Sequence, residues 1–184
     1  MTLIKSISGI RGTIGGEYGD NLTPIDAVNF GCAYGQWILN RNPNIKPTVV
    51  IGRDARISGK MIQNFVQNSL ISLGINVIDL DLSTTPTVEL MVKEYNAHGG
   101  IIITASHNPT EWNALKLLDE NGEFLNSFEG EKIVELSESK NFVFSNTSIS
   151  CCLKLKETTR LSFSIIVLGL NGSEYLGSKS PLEI

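Results

Sequence analysis

PTVVIGRDARISGKMIQNFVQNSLISLGINVIDLDL, residues 47–82, sets a short β-branched run, an amphipathic stretch and a second β-branched run one after another. The first run, 47–54, includes Gly52 near its end, and the second, 75–82, begins after Gly74. Val49-Val50-Ile51 and Val77-Ile78 put apolar residues on consecutive positions, as in strands covered on both faces. Between the runs, Ser58 can cap a helix whose Ile62, Phe65, Val66, Ser69, Leu70 and Leu73 share one face, and Gly74 can end it. Upstream, Thr23-Pro24-Ile25-Asp26 supplies an N-cap, a proline at the first helical position and a carboxylate three residues after the cap. Val28, Tyr34, Trp37 and Ile38 follow at roughly helical spacing, which predicts a helix over about 24–40. Downstream, a third helical unit starts at Thr85-Pro86, ends near Asn96 and leads into GGIIIT, 99–104. Strands joined through helices by short connections predict parallel pairing with right-handed crossovers, so the class is α/β.

Composition narrows the function. The chain has 184 residues, 41% hydrophobic and 18% charged, with a formal net charge of -4. That is enough for one globular domain with a real core, and it carries no cationic footprint for nucleic acid or an anionic membrane. The start, MTLIKSISGIRG, lacks the apolar core of a signal peptide, and SIIVLGL at 164–170 is too short to span a bilayer. Cys32, Cys151 and Cys152 form neither a disulfide framework nor a metal-ligand spacing. A soluble, cytoplasmic protein acting on a small molecule is expected.

Ligands of open parallel sheets gather beyond the carboxyl ends of the strands. Two polar segments lie there, GRDAR at 52–56 and TASHNP at 104–109. Arg53, Asp54 and Arg56 read either as site residues or as a helix-entry turn with local ion pairs. For the second segment a structural turn accounts for Asn108 and Pro109 but not for Ser106 and His107. An acyl-transfer nucleophile is disfavoured, because a histidine one residue away points elsewhere and no G-x-S-x-G occurs. A phosphoryl carrier fits better: a hydroxyl at a loop tip, flanked by backbone N–H groups. Such transfer depends on positioning and charge neutralisation, and Arg11, Arg53, Arg56, His107 and Lys116 are cations near glycine-rich or strand-end segments.

SGIRG at 8–12, GRDARISG at 52–59, TTPT at 84–87 and GGIIITASHNPTEWNALK at 99–116 together resemble the first domain of the α-D-phosphohexomutases. That family comprises phosphoglucomutase, phosphomannomutase and phosphoglucosamine mutase. The resemblance covers about residues 1–140 and implies a three-layer α/β/α domain with a mostly parallel, mixed sheet. It implies that Ser106 is phosphorylated, hands the group to a hexose phosphate and recovers one from the bisphosphate after the intermediate reorients. A hexose 1,6-bisphosphate is then the activator, and Mg2+ the cofactor, with phosphorylated Ser106 as one ligand. His107 and Asn108 are similar to the residues lining that loop, and Arg11 and Lys116 to the pair that manages the proton on the sugar hydroxyl. Arg53, Arg56 and Asn108 are the expected phosphate-binding residues. Where the family has Asn-Gly before its lysine-bearing strand, this chain has Asn113-Ala114, and the turn is expected to survive. Trp112 reads as packing or as a substrate platform, His98 as a surface turn residue and Cys32 as inert core.

The resemblance also implies three further domains, with an aspartate-rich metal loop, a sugar-reading loop and a phosphate clamp. None of those motifs occurs in this chain. From about residue 141 the text is rich in serine, threonine and leucine, so the expected organisation is domain I over 1–140 and an atypical tail over 141–184. Two readings of the tail stand: an unrelated segment, or out-of-frame translation that ends a truncated enzyme, which the abrupt loss of pattern favours. Three functions follow. The chain is part of a mutase, poorly active alone; or it is a non-catalytic sugar-phosphate-binding domain, self-associating or completed by the remaining mutase domains; or it is a phosphatase, for which no water-activating group is evident. The choice of hexose is not written here, although SISGIRGTIGGEYGDNLTPIDAV resembles the phosphomannomutase and phosphoglucosamine mutase branches.

Overall fold

The computed structural model describes residues 1–6, 9–146 and 152–154, the last three through their backbone. In chain order these form β1 (Ile4–Ser6), β2 (Gly9–Thr13), α1 (Pro24–Arg41), β3 (Thr48–Arg53), α2 (Gly59–Ser72), β4 (Asn76–Leu82), α3 (Thr85–Glu94), β5 (Gly99–Ile103), β6 (Trp112–Leu118), α4 (Ser127–Ser139) and β7 (Cys152–Lys154). The strands make one sheet in the order β1-β2-β6-β5-β3-β4-β7. β3 pairs in parallel with β4 on one side and β5 on the other, as the strand-helix-strand pattern predicts. The hairpin from β5 to β6 is antiparallel, as are β6 with β2 and β2 with β1, so the sheet is mixed.

Local chemistry explains most of the element starts. At α1 the Thr23 side chain accepts from the Asp26 amide while Asp26 Oδ2 accepts from the Thr23 amide at 3.1 Å, a complete capping box. α3 starts on Thr84, whose side chain accepts from the Thr87 amide. α2 ends as expected: Gly74 takes φ +90 and Ile75 donates to the Leu70 carbonyl at 3.1 Å. Two expectations need correction. Ser58 makes no capping bond; its backbone is already helical, and its hydroxyl accepts from Asn113 Nδ2 at 2.9 Å. Val28 lies on the exposed face of α1, because the buried stripe runs through Phe30, Tyr34, Trp37 and Ile38.

The alternation of side chains along the strands divides the core. Ile51, Ile101, Ile103, Leu115 and Leu117 point to one face, where Phe30, Tyr34, Val66, Leu70 and Ile133 of α1, α2 and α4 join them in one buried cluster. The intervening positions face α3. There Gly52 and Gly100 let the helix approach: a Cβ on either would lie 2.5 Å from a Val88 methyl and 2.7 Å from a Val92 methyl, respectively. The result is an α/β/α sandwich. α2 carries the chain from β3 outward to β4, and α3, on the opposite face, carries it back across β3 to β5. The carboxyl ends of β3 and β5 therefore flank the point where the connections diverge, and the crevice of such a sheet opens there.

The compact unit runs from Met1 to Lys154, past the expected boundary at 140. The Val143 amide donates to Gln36 Oε1 at 2.9 Å and the Ser145 amide to the Ser72 carbonyl at 3.0 Å, so 141–146 lies along α1 and α2. β7 adds a parallel strand beside β4. The rest of the tail, on which the two readings of 141–184 bear, lies outside the described residues.

Candidate functional site

The Asp54 amide donates to the Ile103 carbonyl at 3.0 Å, so the chain leaves β3 and β5 side by side and the two polar segments share one rim. Asp54 Oδ1 accepts from the Arg56 amide at 3.0 Å, and Oδ2 accepts from Arg56 Nε at 3.2 Å and from the Thr104 hydroxyl at 2.6 Å. The Thr104 oxygen accepts in turn from the Ser106 amide at 3.0 Å. The Arg56 guanidinium reaches across the rim to four carbonyls: Pro109 at 2.7 Å and Trp112 at 2.9 Å through one terminal nitrogen, Ser106 at 2.9 Å and Asn108 at 2.8 Å through the other. These bonds shape the loop. Ser106 takes φ +55, a left-handed conformation costly for a residue with a Cβ, and its side chain stands at the exposed tip.

The remaining sequence-derived residues fall into three places. His107 is exposed beside Ser106, and Asn108 is half-buried with its amide on the Ala105 carbonyl at 3.0 Å. Arg53 turns toward the end of β4: Nε donates to Gln63 Oε1 at 3.1 Å and a terminal nitrogen to Asp81 Oδ1 at 2.5 Å, with a third bond to the Asp54 carbonyl at 3.2 Å. Arg11 on β2 pairs with Ala114 on β6, so Arg11 and Lys116 occupy diagonal positions on one face of the sheet. Lys116 is opposite Ile102, four residues before Ser106 along β5, and its ammonium lies 5.9 Å from the Phe124 ring centroid. The structure thus joins Ser106, Asn108 and Arg56 directly and sets Arg53 and the Arg11–Lys116 pair to either side.

Several expectations change with the geometry. Arg56, expected on phosphate, uses all five of its N–H groups on Asp54 and the loop carbonyls. The turn expected at Asn113-Ala114 is absent: both lie within β6, and the reversal occurs earlier, where the Trp112 amide donates to the Pro109 carbonyl at 3.0 Å. Ala114 is buried in a ladder, where a side chain is accommodated without strain. His98 is half-buried, and its Nδ1 accepts from the Thr48 amide at 3.1 Å, closing the start of β3. Cys32 is buried, and desolvation pushes its thiol pKa up, as inert core requires. The sequence reading missed Thr104 and Asn113. Thr104 carried a signal, as a hydroxyl between Ile103 and Ala105 at the end of an apolar run; Asn113 showed only as a polar residue amid apolar ones.

No helix among the described residues is long and apolar enough to cross a membrane. A phosphoglucomutase/phosphomannomutase of Thermococcus kodakarensis is 43% identical over 127 residues, covering 69% of this chain and 26% of its own length. A phosphoglucosamine mutase of Prochlorococcus marinus is 31% identical over 181 residues, 98% of this chain and 39% of its own. A putative phosphomannomutase from Thermus thermophilus shares the fold with a TM-score of 0.73 at 23% identity, covering 91% of this chain and 36% of that one. The chain therefore spans between about a quarter and two fifths of the length of these relatives. Residues 3–144 match the family described as phosphoglucomutase/phosphomannomutase, alpha/beta/alpha domain I, and the chain belongs to that family.

Proposed function

We propose that Ser106 is the phosphoryl carrier of a phosphohexomutase. What supports it is a serine held at φ +55 on an exposed loop at the divergence point of the sheet, with its amide and carbonyl both bound from neighbouring segments. In this reading the Ser106 oxygen attacks a phosphorus of a hexose bisphosphate. The bond from that phosphorus to the sugar oxygen breaks, the Oγ–P bond forms, and the serine proton passes to the departing sugar oxygen. The reverse step, on the other hydroxyl of a hexose monophosphate, completes interconversion of 1- and 6-phosphates. Lys116 and Arg11, diagonal on one sheet face, are the pair proposed to handle the proton, with His107 and Asn108 beside the transferred group. Arg53 is proposed at the rim's margin as a source of positive potential.

Turnover of a sugar would draw on segments of the relatives that this chain does not span, so the chain alone is expected to isomerise slowly or not at all. The coarser alternative, a sugar-phosphate-binding domain completed by the remaining mutase domains, differs only in whether transfer occurs on this chain. Magnesium fits in one respect. Among the described residues no group of three His, Cys, Asp or Glu side chains could hold a metal, and Asp54 already accepts three hydrogen bonds from Arg56 and Thr104. Phosphorylated Ser106 is the one ligand proposed from this chain, and a bound cation would neutralise phosphate charge there.

The test is incubation with glucose 1,6-bisphosphate followed by intact-mass and peptide analysis. One added phosphate on the peptide holding Ser106, absent from Ser106→Ala, is expected. No phosphate on Ser106 in the presence of the supplied remaining domains would overturn the carrier role.

A further inference from the structure

We propose that Arg56, Asp54 and Thr104 form a clamp that presets the Ser106 hydroxyl, with Arg56 acting on the loop backbone and not on phosphate. The effect on transfer rests on the carrier reading of Ser106; the effect on the loop does not. An arginine that binds phosphate presents two parallel N–H groups, and Arg56 has none left: one is on Asp54 and four are on carbonyls of residues 106, 108, 109 and 112. Those carbonyls span the whole reversal between β5 and β6, so a single guanidinium fixes the turn from a segment fifty residues earlier. Asp54 orients that guanidinium and also accepts from the Thr104 hydroxyl, which leaves the Thr104 oxygen free to hold the Ser106 amide. The left-handed φ of Ser106 is thereby imposed from both sides, through its amide by Thr104 and through its carbonyl by Arg56. Phosphoryl transfer needs its nucleophile in line with the bond that breaks, so loosening this loop penalises the transfer step more than it weakens donor binding through Asn108. Lysine cannot substitute, because three donors on one nitrogen do not reach four carbonyls arranged around a planar fork.

The experiment compares the full 184-residue chain with Arg56→Ala, Arg56→Lys and Thr104→Val. Amide hydrogen exchange reads the loop, and the time course of phosphoserine formation from glucose 1,6-bisphosphate reads the chemistry. For both Arg56 variants the amides of Ser106, Asn108 and Trp112 are expected to exchange about tenfold faster, while those of Ile51 and Ile101 do not change. The limiting rate constant is expected to fall about a hundredfold, with a rise of no more than about twofold in the half-saturating donor concentration. Added guanidinium ion is expected to restore part of the rate in Arg56→Ala. Loop amides that do not respond, with a half-saturating concentration raised about tenfold at an unchanged rate constant, would make Arg56 a phosphate ligand and overturn the clamp. If Arg56→Ala does not fold, Thr104→Val decides: a faster Ser106 amide and a lowered rate constant support the clamp, and no change in either overturns it. A wild-type chain that takes no phosphate even with the remaining domains supplied counts against the carrier reading, and the clamp is then judged on exchange alone.

Discussion

At Ser106 a polar side chain is presented at the cost of backbone strain. A left-handed residue with a Cβ costs about 1–2 kcal/mol, and glycine escapes that penalty. Ser106→Gly is therefore expected to be more stable than Ser106→Ala by about 1 kcal/mol in urea unfolding, although neither can carry phosphate. Equal midpoints would mean the loop relaxes out of the left-handed region in solution. Gly99 works in the opposite sense: its φ is ordinary, but an added Cβ would lie 2.1 Å from Tyr34 Oη and 3.0 Å from the Leu118 carbonyl oxygen. Gly99→Ala is expected to cost about 3 kcal/mol through overpacking, with chemical denaturation as the readout. The serine was legible from its neighbours His107, Asn108 and Pro109. Its φ was not, because bonds from Thr104 and Arg56 impose it.

The helices show how far capping chemistry can be read from a string. Thr23 and Asp26 are three residues apart and meet as a capping box, so Thr23→Ala is expected to cost about 1 kcal/mol in thermal or urea unfolding. Ser58 stands in an equally plausible position, yet its hydroxyl serves Asn113, a fully buried residue on β6. Ser58→Ala is thus expected to act on β6 and the adjacent loop rather than on the start of α2. Faster amide exchange at Ala114, without fraying of residues 59–62, is the pattern to look for. The difference between Thr23 and Ser58 has a physical cause: the N-cap bond competes with any other partner the fold brings within reach, and periodicity does not list those partners.

Across the whole molecule, one buried phenol couples stability to pH. Tyr34 is fully buried, its hydroxyl donates to the Leu118 carbonyl at 2.7 Å, and desolvation holds its pKa well above the ordinary value. The unfolded chain ionises this group first, so the stabilisation is full below about pH 10 and is lost as pH rises beyond it, by up to about 1.4 kcal/mol per unit. Tyr34→Phe is expected to be less stable near neutral pH by about 1 kcal/mol, because Leu118 loses its donor, and to show a shallower alkaline decline. An identical slope in both proteins would remove Tyr34 as the cause. The wider architecture divides along the same lines. Consecutive apolar residues at 47–54, helical periodicity at 59–73 and the order of strands and helices already commit the chain to a parallel α/β core, because burial on two faces and the 3.6-residue repeat are local consequences of residue type. Ser106, His107, Asn108 and Pro109 likewise stand out as a polar cluster at a strand end. Which partners each arginine of GRDAR takes is not a local property. Arg53 and Arg56 sit in the same short motif, and their different roles arise because β3 lies between β4 and β5: one guanidinium meets Asp81 at the end of β4, and the other meets four carbonyls beyond β5.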